Sequence, residues 1–481
     1  MKRPVILSLL LSLGGCAVGP NYVAPGAPPQ ATAPFLSSPA EATAPDDPPP
    51  GWWRLYQDPV LDGLVQQALT ENADLKVAAA NLAQAEALVS AARVGLLPST
   101  ELSAGETYGR SSAANYDAEL AGKSHAPSIW SFSTGFTAAY QVDLFGQVRR
   151  TIEAARADRE ATRAAEDAVR VTVAAETTSA YVQACGYAAQ TAVAQRSLDE
   201  AQQTFDIVRK QRDLGAVSDF DFSRAAASYN QAVAVVPGLQ SQRRVALLEL
   251  AALIGKTPAE IPADAAACVT PPKLAALLPT GDGAALLRRR PDLRQAERTL
   301  AADTARIGVA TAALYPSISL GGSIADAGGS ARALGAPGDL SYGLGPLISW
   351  SFPNIGLARA QIAQTRAEAA GALAAFDGDV LQALKETEQA LTTYGGELDR
   401  NRALTAAAQQ SNEALRLAQV QYGAGAISFL DLLTAQTTAA AADQAEAASD
   451  QQVALDQVAV FQALGGGWEQ APAPHSPSRG G

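Results

Sequence analysis

Across residues 129–144 the chain alternates with a period of two. Trp130, Phe132, Thr134, Phe136, Ala138, Tyr140, Val142 and Leu144 fall on one side, and Ser131, Ser133, Gly135, Thr137, Ala139, Gln141 and Asp143 on the other. That alternation predicts a strand with one apolar face and one small or polar face. Ile318, Leu320 and Ile324 alternate with Ser317, Ser319, Gly321 and Ser323, and Tyr342, Leu344, Ile348 and Trp350 with Gly343, Gly345 and Ser349. A fourth and weaker strand is predicted over 99–108, where Glu101 and Glu106 take opposite faces. The others are expected over about 129–144, 316–325 and 341–352. Trp130, Phe132, Phe136, Tyr140, Tyr342 and Trp350 are then membrane-facing aromatics of a transmembrane β-barrel. A water-soluble sheet packed on helices is the competing reading. Four strands cannot close a barrel, because the smallest has about eight. An open edge in lipid costs several kcal/mol per unpaired backbone group, so several chains must share one barrel.

Between the strands the period changes. No proline occurs between Pro127 and Pro237 or between Pro353 and Pro472, and Ala, Glu, Gln, Arg and Leu dominate both stretches. These are strong helix formers. A helix over 147–213 would run about 100 Å at ~1.5 Å per residue, and one over 357–422 is equally long. Their apolar positions are mostly small, which gives a thin core and calls for neighbouring helices. Taken alone, this part reads as a solvated coiled-coil rod.

The chain also repeats itself. Asn72-Ala73-Asp74-Leu75 matches Arg290-Pro291-Asp292-Leu293, and Leu97-Pro98-Ser99 matches Tyr315-Pro316-Ser317, both at an offset of 218 residues. Further on, Tyr140 meets Trp350, Gly146 meets Gly356, and Gly215-Ala216-Val217-Ser218 meets Gly425-Ala426-Ile427-Ser428 at an offset of 210. The first half thus carries eight extra residues between Ser99 and Tyr140. Each half reads helix, Pro-Ser, variable stretch, aromatic stretch, long helix, Gly-x-x-Ser turn, helix. In each turn the glycine (Gly215, Gly425) reverses the backbone, and the serine (Ser218, Ser428) caps the returning helix.

Met1-Lys2-Arg3, a short apolar run and Leu13-Gly14-Gly15-Cys16 read as a secretory leader ending in a lipobox. Residues 1–15 are then a signal peptide, and Cys16 carries the lipid as the first residue of the mature chain. Residues 16–50, rich in Pro, Ala, Ser and Gly, are expected to form an extended tether. The first repeat follows over 51–255, a linker around the waist over 256–290 and the second repeat over 291–465, with a tail lacking fixed structure over 466–481. Composition closes other doors. A net charge of −12 argues against nucleic acid as a partner, and two His and three Cys argue against a His- or Cys-based metal site. With no P-loop, HExxH, GxSxG or CxxC spacing, no enzyme, catalytic residue or cofactor is expected beyond the covalent lipid on Cys16.

Several stretches together resemble the TolC-type outer-membrane efflux proteins, in their NodT-like lipoprotein branch. The carriers are Cys16-Ala17-Val18-Gly19-Pro20-Asn21-Tyr22, Trp52-Trp53 with Asp58-Pro59 and Leu61, Asp143-Leu144-Phe145-Gly146, the run from Arg288 to Glu297, Ala310 to Ser317, and Tyr422 to Gln436. The resemblance implies a mainly α fold with a transmembrane β-barrel. Three copies would share one 12-stranded barrel, continued as a long helical barrel across the periplasm. It also implies a passive duct in the outer membrane, fed by an inner-membrane RND-type pump and a periplasmic adaptor, and carrying small toxic compounds or drugs outward. At the periplasmic tips (215–221 and 425–431) it implies a gate. Tyr422 would bond to Asp221, Asp431 would form a three-fold carboxylate ring, and Leu430 would narrow the passage. Ile427 stands where relatives have an arginine clasp, and Thr434 where a second acidic ring often lies; both departures weaken the expected closure. For Asp221 and Asp431 the competing role is charge at a helix N-terminus. Asp143 is expected to line the lumen, or else to support a turn. Cys185 and Cys268 fall at one height and are open to a disulfide in an oxidising periplasm, with two buried free thiols the preferred reading. The exit duct of type I protein secretion and a poreless coiled-coil lipoprotein scaffold are the alternative functions.

Overall fold

The computed structural model describes residues 17–26, 28–332, 334–335, 339–353 and 355–466. The expected leader, the lipidation of Cys16 and nearly all of the expected tail lie outside them. In chain order the elements are β1 (Thr43–Ala44), α1 (Pro59–Glu71), α2 (Ala73–Val94), β2 (Ser99–Gly109), α3 (Ser112–Leu120), β3 (Ile129–Val142), α4 (Gln147–Asp213), α5 (Asp219–Leu253), α6 (Ala263–Ala266), β4 (Leu278–Pro279), α7 (Gly283–Arg289), α8 (Pro291–Ala312), β5 (Ser317–Gly328), β6 (Leu340–Ser349), α9 (Ile355–Gly423) and α10 (Phe429–Ala463). Short 3-10 turns lie at Pro29–Thr32 and Trp52–Tyr56. The described residues divide into two compact units, one drawn from 17–24, 83–161 and 297–375, the other from 25–82, 162–296 and 376–466.

The first unit holds a four-stranded antiparallel sheet in the order β2-β3-β5-β6. Its register sorts the faces as the alternation predicts. Leu102, Phe136, Ile324 and Tyr342 form one cross-strand row; their neighbours Ser103, Gly135, Ala325 and Ser341 form the row behind it. A one-residue slip would exchange the two faces, so the pattern excludes the odd slips, and the pairing itself sets the register. β3 stops at Val142 because Asp143 turns inward to start α4: its Oδ1 accepts from the Val148 N–H (3.0 Å) and its Oδ2 from the Arg149 N–H (3.0 Å). Asp143 therefore supports a turn, and the lumen-lining expectation gives way to helix capping. β6 ends at Ser349, and Trp350 beyond it donates from Nε1 to the Leu314 carbonyl (3.3 Å) and rests on Phe352.

The expected tether is extended but not free. In the first unit the Val18 N–H donates to the Phe145 carbonyl (3.1 Å). Arg150, whose side chain is 5% exposed, donates to the carbonyls of Val18 (3.2 Å) and Gly19 (3.4 Å) and to Asn21 Oδ1 (2.7 Å). Gly19 has φ +90° and faces Gly308 so closely that a Cβ on it would stand 2.5 Å from the Gly308 Cα. Tyr22 donates to Glu297 (2.7 Å) under the guanidinium of Arg298, and burial and that carboxylate push its hydroxyl well above the ordinary range. In the second unit Ala31 and Phe35 are buried, the N–H groups of Leu36 and Ser37 donate to Glu388, and β1 pairs in parallel with β4. Backbone groups that a solvated tether would leave to water find partners on the protein surface instead.

The second unit packs around the turn at Trp52, whose indole stacks on Phe461 at 4.6 Å between ring centres. Leu61, Leu250, Ile254, Leu278, Leu286, Leu391 and Leu464 are fully buried in the same cluster. Along α4 the buried apolar positions are mostly alanine, including Ala164, Ala174, Ala175, Ala180 and Ala184, which is the thin core the composition predicts. α4 runs unbroken for 67 residues and α9 for 69. α5 carries Pro237 in its interior and continues past it. Cys185 of α4 and Cys268 of the inter-repeat segment form a disulfide, with Cα atoms 5.1 Å apart. The preference for two free thiols is thereby overturned. Among the described residues no helix is long and apolar enough to cross a membrane.

Candidate functional site

Both helical hairpins turn by the same device. Gly215 (φ +72°) and Gly425 (φ +71°) take the left-handed conformation that glycine adopts without strain. The Gly215 N–H donates to the Arg212 carbonyl and the Ala216 N–H to that of Gln211; the Gly425 N–H donates to Tyr422 and the Ala426 N–H to Gln421. These paired bonds satisfy carbonyls that a helix end leaves open. Ser218 Oγ then accepts from the Asp221 N–H (3.1 Å), and Ser428 Oγ from the Asp431 N–H (3.3 Å). In the second turn the box is complete, because the Ser428 N–H donates to Asp431 Oδ2 (3.0 Å).

The aspartates of the turns are thus capping groups in the single chain. Asp221 accepts from the Ser218 hydroxyl (2.7 Å), and no hydrogen bond links it to Tyr422. The ring of Tyr422 lies instead among apolar side chains. Val208, Ala225, Phe429 and Leu433 form one small cluster joined by Phe205, Val217 and Phe222. Leu415, Ala418, Leu432 and Ala439 form another joined by Ile427, and Tyr422 packs against both. The expected Tyr422–Asp221 link is replaced by a serine cap on one side and apolar packing on the other. Ile427, at the position of the absent arginine clasp, fills that packing. Thr434 donates to the Leu430 carbonyl (2.8 Å). Leu430 is 43% exposed, and Asp431 is exposed with its carboxyl held below the usual range by the hydrogen bonds from Ser428. Arg212 braces the first turn, pairing with Asp219 (2.8 Å) and covering the Phe222 ring at 4.3 Å.

On the sheet, Tyr342 is 84% exposed, Trp130, Phe136, Tyr140 and Trp350 are partly exposed, and Phe132 is half-buried. Trp130 packs against Tyr108 across the strand pair, with ring centres 5.1 Å apart. So much exposed apolar surface on one face of a sheet marks a surface made for lipid or a partner. Residue spacing gives Arg289, Arg290 and Arg150 no contact role, Arg290 entering only through the 218-residue repeat. The first two lie inside the run Arg288-Arg289-Arg290-Pro291-Asp292, where consecutive cations just before a proline-started helix were a usable signal. Arg289 Nε donates to the Leu464 carbonyl (2.8 Å) and Arg290 Nη1 to that of Ala463 (3.0 Å), while Arg290 also pairs with Asp292 and Glu386. Among the described residues no group of three or more His, Cys, Asp or Glu is arranged to hold a metal.

Residues 64–256 and 284–466 match the model of the outer membrane efflux protein family. The chain belongs to that family. The two matched stretches overlap the expected repeats at 51–255 and 291–465. Nodulation protein T of Rhizobium leguminosarum bv. trifolii is 32% identical over 431 residues, covering 89% of either chain. The toluene efflux pump outer membrane protein TtgC of Pseudomonas putida is 30% identical over 483 residues, covering 96% of each. Among solved structures the outer-membrane channel OprN superposes with a TM-score of 0.85 at 32% identity, over 94% of this chain and all of that one. This efflux protein is an outer-membrane channel component, mostly helical, with its long helices extending into the periplasm.

Proposed function

We propose that three copies of this chain close one barrel and form a passive duct, through which small toxic compounds leave the cell without chemical change. The observation that carries this is the sheet: one face apolar, the other small and polar, with β2 and β6 as its edges. Lipid tolerates no open edge. Joining β6 of one copy to β2 of the next removes every edge, and three four-stranded sheets give twelve strands with polar faces inward. The likeness to the toluene efflux component favours small molecules over secreted proteins as cargo. A periplasmic adaptor and an inner-membrane RND-type pump would deliver that cargo. The lipid on Cys16 would hold the chain at the outer membrane, its neighbours Ala17 to Asn21 being already docked beside Arg150. At the far end three copies of Leu430 and Asp431 would ring the passage, an apolar narrowing beside a carboxylate ring.

The test is the native mass of the detergent-extracted protein, without cross-linking. Three chains with bound lipid are expected, and the same preparation should give discrete conductance steps in a planar bilayer. A monomer that needs no detergent would overturn the proposal, since its strands would then never meet lipid.

A further inference from the structure

The disulfide joins two unlike sulfurs. Cys185 sits in the middle of α4 with no exposed surface, inside the main core cluster beside Tyr181 and Ala184. Cys268 is half-buried at the rim of that cluster, just beyond α6. Its backbone is held there independently of sulfur chemistry. Arg243 of α5 donates from Nη2 to the carbonyls of both Ala266 and Cys268. The two cysteines are 83 residues apart, and the covalent ring they close contains α4 from Cys185 to its C-terminus, the turn at Gly215 and Ser218, and all of α5.

We propose that this pair is a thiol-oxidation site entered at Cys268 and resolved by Cys185, which seals the first hairpin after it has packed. Access dictates the order. Thiol–disulfide exchange needs a thiolate in line with a disulfide sulfur, and in the packed chain an external disulfide reaches only Cys268. The Cys268 thiolate attacks one sulfur of that oxidant, the oxidant's S–S bond breaks, and its second sulfur leaves as a thiolate that takes up a proton. Cys185, as thiolate, then attacks the Cys268 sulfur of the mixed disulfide and expels the oxidant's remaining sulfur as a second thiol. Two protein thiols lose two electrons and two protons, and the oxidant's disulfide is reduced to two thiols. The oxidant's class is an exchangeable disulfide of the exported, oxidising compartment. Arg243 is a positioning residue: by holding the Cys268 carbonyl it keeps the mixed disulfide within reach of Cys185.

Peptide-resolved thiol mapping of the unreduced, exported full-length protein is the first arm, since it keeps Cys16 out of the count. A linked peptide pair containing Cys185 and Cys268 is expected. Both cysteines found free in chains that have lost their leader would overturn the site, whereas reduced chains with the leader still attached would point to failed export instead. The second arm uses oxidised glutathione on the reduced, folded single variants C185S and C268S, with native mass as the check on folding. Adduct formation at Cys268 in C185S should outpace that at Cys185 in C268S by at least about tenfold, and the two rates should converge in denaturant. Equal rates in the folded protein would overturn the order of entry. In the third arm R243A should slow closure of the disulfide several-fold while leaving adduct formation at Cys268 unchanged. If closure is unaffected, the positioning role of Arg243 falls.

Discussion

The two hairpins end at equivalent places and are tied down by different chemistry. α5 ends at Leu253 and α10 at Ala463, the 210-residue offset of the repeat, and each is followed by a left-handed glycine, Gly255 or Gly465. Neither glycine can carry a side chain: a Cβ on Gly255 would stand 2.8 Å from the Glu71 carbonyl oxygen, and one on Gly465 2.7 Å from Arg290 Cγ. In the first half Asn72 donates from Nδ2 to the Leu253 carbonyl (3.1 Å), while its Oδ1 accepts from the N–H groups of Asp74 and Leu75 at the start of α2. In the second half Arg290, at the repeat-equivalent position, reads the Ala463 carbonyl, and Asp292 accepts from the Leu293 N–H. One neutral amide thus does in the first repeat what an arginine and an aspartate share in the second. A helix C-terminus welcomes the cation. The cation in turn must be neutralised where water is scarce, and Asp292 and Glu386 do so. The first hairpin has the disulfide as well, and the second has no covalent tie.

Removing the disulfide should have the largest effect on that asymmetry. For a ring closed across 83 residues, the chain-entropy argument assigns about 4.5 kcal/mol. The double variant C185S/C268S should unfold at lower denaturant, and hydrogen exchange should rise in α5 more than in α10. Next comes R290A, which strands a helix-end carbonyl and leaves Asp292 and Glu386 without their cation. A loss of about 3 kcal/mol is expected, given that both carboxylates are partly exposed. N72A, at the equivalent position, should cost only about 1–2 kcal/mol, because no charge is stranded. Denaturant unfolding of the two variants in one detergent checks the ranking, and equal losses would mean that the ion pairs contribute nothing beyond the cap.

The turns should respond more weakly. S218A and S428A each remove one cap worth about 1 kcal/mol, and S428A should be the more costly because it dismantles a complete box. Local hydrogen exchange at the two turns separates them. The smallest effect is one of pH. The hydrogen bonds from Ser428 hold the Asp431 carboxyl below its unfolded value, so their stabilisation is complete above the ordinary aspartate pKa, near 4, and is lost as pH falls through the depressed one. Protection of the second-turn amides, relative to their intrinsic exchange rates, should therefore fall below about pH 4 in the parent and hold constant there in D431N.

What the sequence by itself determined is what neighbours along the chain decide. The two-residue alternation specified the strands and their faces, alanine-rich proline-free runs specified α4 to its terminal residues, and Gly-x-x-Ser specified both reversals and their caps, while the pairing register came from the fold. The repeat was legible because both halves need those local devices in one order. Tertiary structure decided everything that depends on a partner distant in sequence. Residues 17–50 read as a tether because proline and alanine carry no period, yet Arg150, Glu388 and β4 supply partners for that backbone. Asp143 sits on the polar face by its alternation but is claimed by N–H groups five and six residues later, where the strand has already given way to a helix. Asp221 and Tyr422 were expected to meet, but a serine three residues away costs less chain entropy to engage than a tyrosine from the other hairpin. Cys185 and Cys268 pair only because α5 returns along α4 and Arg243 holds the segment beyond it, a closure that no local pattern records.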